Sequence, residues 1–313
     1  MICWLAIAWA GTPVVHDGGD GADHVQAVVE RSGLPPAQLR AVAVSEVFKR
    51  PPVTLGEAVI RRCAGPRSTF AEARGDFVRA EAALTAEDEL AAADQLDLAV
   101  AKLGCLSEVA DGPTAAKVFL LRGALAAADG RTDDAKGELR TALSLDPNAS
   151  WPATYPVEGS HVLAEVLAEE ARFTLFVTPE ATSGPWIDGH DVADKVSLRP
   201  GLHLAQHSAR TGLSTAWLVV GGEATWALPD ALPTSALDRF VPDDGGSDPG
   251  PTAHVLAGAF PDAAAVYVSH RGGLWLVLRE GASATVTELT PAEPVVAPPE
   301  PDDGKKKGKK RKK

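Results

Sequence analysis

Lysine is almost missing from the first 303 residues, because seven of the chain's twelve lysines fall in the last ten positions, GKKKGKKRKK. Arginine carries most of the positive charge elsewhere. Removing the eight positive charges of that tail from the net −12 leaves −20 on residues 1–303, so the tail is a separate compositional object. Long apolar runs are missing too. No segment approaches the roughly 18 consecutive apolar residues of a membrane helix, so no transmembrane span is expected. Cysteine is scarce, at three in 313 residues. There is no nucleophile elbow and no phosphate-loop lysine, so hydrolase and nucleotide chemistry have no positive signal. What is present is a composition 45% apolar and 23% charged, which excludes wholesale disorder and leaves room for two ordinary domains.

The N-terminus MICWLAIAWAGT holds a short apolar run, residues 2–8, followed by Ala8-Trp9-Ala10 before Gly11. This is similar to a secretory signal peptide lacking its basic n-region, and it predicts export to the periplasm or cell envelope. The alternative is a buried first strand. Cys3 would leave with the signal, and the remaining Cys63 and Cys105 then admit one disulfide or two buried thiols. A helical hairpin over residues 68–86 and 87–104 would bring its two flanking residues to one end, which favours the bridge. Closing a loop of 42 residues stabilises a fold by up to about 4 kcal/mol through chain entropy.

Residues 11–55 read as a small α/β cap: a strand at 12–15, the turn HDGGDG, a helix at 22–32, and a segment at 39–47 whose period fits strand or helix. Helices are expected at 55–64, from Ser68 as N-cap to Leu84 without a capping box, at 87–103, and at 161–171. From Phe173 onward the period switches to alternation. Strands are expected at 173–177, 195–199, 202–207, 215–220, 224–228, 264–269, 274–279 and 284–288, with a loop at 241–251. Residues 291–303 are rich in proline and acid and form an extended linker into the tail.

The 34 residues from Ala116 to Ala149 place Phe119, Gly123, Ala126, Ala135, Leu139, Ala142 and Pro147 where a paired-helix unit needs them. Gly123 and Ala135 are small where two helices approach, Leu139 fills the groove between them, and Pro147 ends the second helix. The segment resembles a tetratricopeptide repeat, with the usual large aromatic of the first helix reduced to Ala126. Ala92, Leu96 and Ala99 repeat the same small–large–small series 43 residues earlier, with an insertion around residues 106–112. The resemblance implies a helical domain over 56–171 that binds a protein or peptide partner. Phe119, Arg122, Leu125 and Ala126 would line its groove, and Arg122 would select an acidic partner.

A second series runs Val177-Thr-Pro-Glu-Ala181, then Trp186-Ile-Asp-Gly189, then Leu198-Arg-Pro-Gly-Leu-His203. It resembles the PEGA-type β-sandwich module of bacterial envelope proteins, departing at Ala181 where a glycine is usual. Asp188-Gly189 and Pro200-Gly201 supply the tight turns. The resemblance implies a β-rich domain over 172–290, an envelope location, and a structural or binding role with no catalytic residues.

Other constellations point to ordinary structure. His203 and His207 have a metal-like spacing, but on a strand these positions lie about 13 Å apart, and no glutamate separates them. Asp17, Asp20 and Asp23, like Asp243, Asp244 and Asp248, lack the ligand order of a calcium loop. The tail, Lys305, Lys306, Lys307, Lys309, Lys310, Arg311, Lys312 and Lys313, either binds a polyanion or anionic surface, folds back on the acidic body, or stays solvated. The expectation is an α+β chain: signal peptide (1–10), α/β cap (11–55), repeat-like helical hairpins (56–171), small antiparallel β-sandwich (172–290), linker and tail (291–313). Its function is a non-enzymatic scaffold of the bacterial envelope, without cofactor or metal. Polyanion binding by the tail, or an envelope enzyme, are the alternatives.

Overall fold

The structure, a computed structural model, describes residues 11–47, 49–50, 52–178, 185–209, 212–228, 237, 250–260, 262–270 and 272–290. The signal-like segment 1–10, Pro179-Glu180-Ala181, Asp243, Asp244 and Asp248, and the whole of 291–313 lie outside the described residues. The chain is a mixed helix–strand protein, with two sheets among the described residues.

Along the chain, β1 (Thr12–His16) leads to α1 (Gly21–Ser32), β2 (Leu39–Ala43), the short α2 (Val44–Val47) and β3 (Val53–Arg62). The segment 39–47, open between strand and helix, is both in succession. Four longer helices follow, α3 (Phe70–Thr85), α4 (Glu89–Leu103), α5 (Gly112–Ala128) and α6 (Thr132–Leu145), then α7 (Glu158–Leu167). Next come β4 (Phe173–Thr178), β5 (Trp186–Ile187), β6 (His190–Asp191), β7 (Lys195–Leu198), β8 (Gly201–Ala209) and β9 (Gly212–Ala227). The last elements are α8 (Gly250–Ala259), β10 (Ala265–His270), β11 (Gly273–Glu280) and β12 (Ser283–Glu288).

Val14 and Val15 are successive in β1 and both fully buried, which marks a strand covered on both faces. Val14 packs with Val28 of α1 and Tyr267, whereas Val15 packs with Ala253 and Leu256 of α8. The first sheet has the order β12-β11-β10-β1-β2, with β1 parallel to both its neighbours. Residues 11–55 are therefore not a separate cap on the helices. Their central strand lacks neighbours of its own on one side and takes β10 from the far end of the chain. The small antiparallel sandwich expected over 172–290 is corrected in two of its strands: β10 pairs in parallel with β1, and β4 in parallel with β9.

The second sheet runs β6-β5-β8-β9-β4-β7, with β3 added to the other edge of β9. Here the expected helix over 55–64 is a strand: Leu55 and Ala58 turn inward, and β3 pairs along nearly all of β9. The β-branched Val53, Thr54, Val59 and Ile60 suit that pleated surface better than a helix. Between the pairs Gly56↔Ala224 and Ala58↔Val220, Gly221, Gly222 and Glu223 stand opposite the single Glu57. This bulge bends β9, so that its first part pairs β8 and its end pairs β4 on the same edge, and the sheet curls. The two strands expected at 215–220 and 224–228 are one bent strand.

Helices α3/α4 and α5/α6 form two antiparallel hairpins, each turned by three residues, and α7 packs against α5 and α6. Ala135, Leu139 and Ala142 are fully buried, as are Ala92, Leu96 and Ala99 to within 1%. A Cβ on Gly123 would lie 2.7 Å from Leu139 Cδ2, which explains the glycine by close helix approach. The helical core reaches the sheet through Phe119, set edge-on to Trp217 of β9 with ring centroids 5.5 Å apart. The α3 N-cap is Thr69 and not Ser68. Thr69 and Glu72 form a full capping box, while the Ser68 backbone is occupied by Cys105 and Ser107.

Candidate functional site: a cleft between the helical hairpins and the curled sheet

Where the inner faces of α4, α5 and α6 look across at β3, β8 and β9, an open cleft of about 740 Å³ remains. Its apolar floor is Leu96, Leu125 and Ala126 from the helices and Leu202 and Val219 from the strands. Its rim is charged. Arg122 on α5 donates from Nη1 to Asp97 on α4 at 2.8 Å and from Nε to Glu138 on α6 at 3.1 Å, which ties three helices together. Arg131 binds Asp129 and Asp134, each at 3.0 Å, across the α5–α6 turn. Burial pushes the Glu138 carboxyl above its ordinary value despite the Arg122 charge, and the acids Asp97 and Asp134 push in the same direction. Arg61 of β3 and Asp133 of α6 line the rim with no ion-pair partner among the described residues.

Of the four residues expected in a groove, Arg122, Leu125 and Ala126 line this cleft together. Phe119 does not: it is 1% exposed and belongs to the core against Trp217. Helical spacing cannot say which side of α5 faces a second layer, and here the sheet covers the Phe119 side. Arg122 does not offer a free cation to an acidic partner either, since Asp97 and Glu138 neutralise it. A sequence trace of this pairing does exist. Arg79 donates to Gln95 at 2.8 Å in the first hairpin, and both positions recur 43 residues later as Arg122 and Glu138.

Cys63 and Cys105 are joined by a disulfide, with Cα atoms 4.9 Å apart. It fastens the end of β3 to the segment after α4, where Ser68 pairs with Leu106. The insertion at 106–112 is fastened from the sheet side. Gln206, fully buried on β8, accepts from Ala110 N at 2.9 Å and donates to Glu108 O at 2.9 Å. Thr215 Oγ1 donates to Leu106 O at 2.7 Å.

His203 and His207 lie on β8 with both rings buried. His203 Nδ1 donates to Asp188 Oδ2 at 2.7 Å and Nε2 faces Arg199 O at 2.9 Å, so both ring nitrogens are committed and neither is placed as a base. Asp188 also accepts Leu204 N at 2.8 Å. Burial disfavours the imidazolium, but the Asp188 charge and these hydrogen bonds outweigh it, and the His203 pKa is raised. Gly189 completes this turn at φ +81°, where a Cβ would fall 2.7 Å from Ala110 O.

The acidic turn after β1 is structural. Asp20 caps α1 through Ala22 N at 2.9 Å, and Asp17 pairs with His270. His24 bonds Gly18 O at 2.7 Å and Ser269 Oγ at 2.8 Å while stacking on His16, a cluster that no local spacing announced. Among the described residues no three His, Cys, Asp or Glu side chains are grouped to hold a metal ion, and no helix is long and apolar enough to cross a membrane. Searches of protein families, of characterised proteins and of solved structures find no match to this chain.

Proposed function

We propose that this chain is an exported, non-enzymatic scaffold of the bacterial cell envelope that holds a partner polypeptide in the cleft between α4–α6 and the curled sheet. In this reading the two hairpins are tetratricopeptide-like and the strands from β4 to β9 are PEGA-like. The observation that carries it is the cleft itself, an open channel with an apolar floor and a charged rim of both signs. Such a lining suits an extended peptide whose side chains alternate between floor and rim. The Cys63–Cys105 bridge supports export, because disulfides persist in oxidising compartments.

The test is a plug. Gly137 lines the cleft, and a Cβ added there meets nothing within 4 Å, so Gly137→Trp starts into open space and sets a bulky side chain in the cleft. Full-length wild type and G137W are used to capture proteins from envelope extract. A partner retained by the wild type and lost with G137W is expected. An unchanged set of captured proteins refutes the cleft as the binding surface.

A further inference from the structure

A second cavity, of about 230 Å³, lies beyond the disulfide between the end of β3 and the strands β8 and β9. Three observations distinguish it from a packing gap. Among the described residues its charged and titratable lining is Arg62, Arg67 and His207, with no aspartate or glutamate, in a chain whose first 303 residues carry net −20. Neither arginine has a carboxylate partner among the described residues. Arg62 donates to Pro52 O at 2.7 Å and Arg67 to Leu213 O at 2.8 Å, which engages one nitrogen of each guanidinium and leaves donors over. Finally, Trp226 lines the same cavity, is 1% exposed, and has a buried Nε1 with no hydrogen-bond partner. Buried indole N–H groups nearly always have a partner, so this one calls for an acceptor that the protein does not supply.

The rest of the described lining is mostly apolar, with Ile60, Leu106, Leu213 and Trp226 beside the disulfide, and its hydroxyls are those of Ser214 and Thr215. We propose that this cavity binds a small organic monocarboxylate with a flat apolar body, of benzoate size. The carboxylate would be held by Arg62 and Arg67 and would accept from Trp226 Nε1, with the body against Ile60, Leu106 and Leu213. At roughly 30 Å³ per water the space equals about seven or eight waters, which suits such a ligand and excludes a nucleotide. Burial lowers the Arg62 pKa with no carboxylate charge opposing it, in keeping with a cation that lacks its counter-ion. The planar guanidinium fork favours a planar carboxylate, which accepts two parallel N–H bonds.

The experiment is titration of the full-length, oxidised chain with benzoate, benzamide and inorganic phosphate, followed by the indole N–H resonances in ¹H–¹⁵N spectra. Trp226→Phe assigns the Trp226 signal. Saturable displacement of that signal by benzoate is expected. Benzamide and phosphate should each be weaker by about tenfold or more, the value of a charged hydrogen bond or of the lost apolar body. Arg62→Gln with Arg67→Gln, both at exposed positions, should weaken benzoate to a similar degree. No saturable shift, unchanged affinity in the double variant, or phosphate binding as tightly as benzoate would each overturn the proposal.

Discussion

Replacing Asp188 by alanine should be among the most damaging single changes in this protein. Asp188 is 2% exposed and stands at φ +55°, a left-handed conformation that aspartate tolerates better than alanine. Its carboxylate accepts from His203 Nδ1 at 2.7 Å and from Leu204 N at 2.8 Å, both inside the sheet. Truncation leaves two buried donors without acceptors, at roughly 1–3 kcal/mol each, and adds about 1 kcal/mol of backbone strain. Some relaxation will return part of this, so a loss of about 3–5 kcal/mol is expected, as for one partner removed from a buried pair. The assay is urea unfolding of the oxidised full-length chain, followed by circular dichroism and tryptophan fluorescence. A loss below about 1 kcal/mol would refute the reasoning, because the two donors would then be finding other partners at little cost.

The same pair sets a pH dependence. The folded His203 pKa is raised, so the stability it contributes is fully present below the ordinary histidine value of about 6.5 and is lost as pH rises through the folded value. Unfolding free energy measured from pH 5 upward should therefore keep this contribution to about pH 6.5 and lose it progressively above that in wild type, and lose less in His203→Gln. The Cys63→Ser, Cys105→Ser double variant should lose about 2–4 kcal/mol, given a bridged separation of 42 residues, and equal denaturation midpoints would contradict this. Gly123→Val should cost about 1–3 kcal/mol by overpacking against Leu139, read as a shift in the same midpoint.

The helical hairpins were legible because their information is local. Small residues at Gly123, Ala135 and Ala142, apolar residues at Leu96 and Leu139, and a 43-residue offset all reside within one stretch of chain. The expected residues 116–149 do contain two paired helices, and even the Arg122–Glu138 pair has its earlier counterpart in Arg79–Gln95. β3 was misread because Glu57, Ala58, Arg61 and Arg62 favour helices locally, whereas its strand state comes from β9, about 160 residues away. Gly221-Gly222 looks like a turn between two strands and is a bulge that bends one. The parallel pairing of β1 with β10 leaves no local trace.

For the site, α5 showed Arg122, Leu125 and Ala126 but not that Phe119 faces the sheet, because the helix period is indifferent to what covers each side. The opposite wall of the cleft, Arg61, Leu202 and Val219, is brought by strands from both sides of the helical region in sequence. Asp188 was visible only as a turn residue. Its bond to His203 depends on the β5–β8 pairing, which puts a residue 15 positions earlier beside the histidine.

The central claim, a partner seated between helices and sheet, is tested most directly by a photo-crosslinking side chain placed at Gly137 inside the cleft, and at Leu90, 76% exposed on α4, as a control. Irradiation of the full-length chain in intact cells should give an adduct of discrete mass from position 137 and none of that mass from position 90. The same adduct from both positions, or none from 137, would contradict the account.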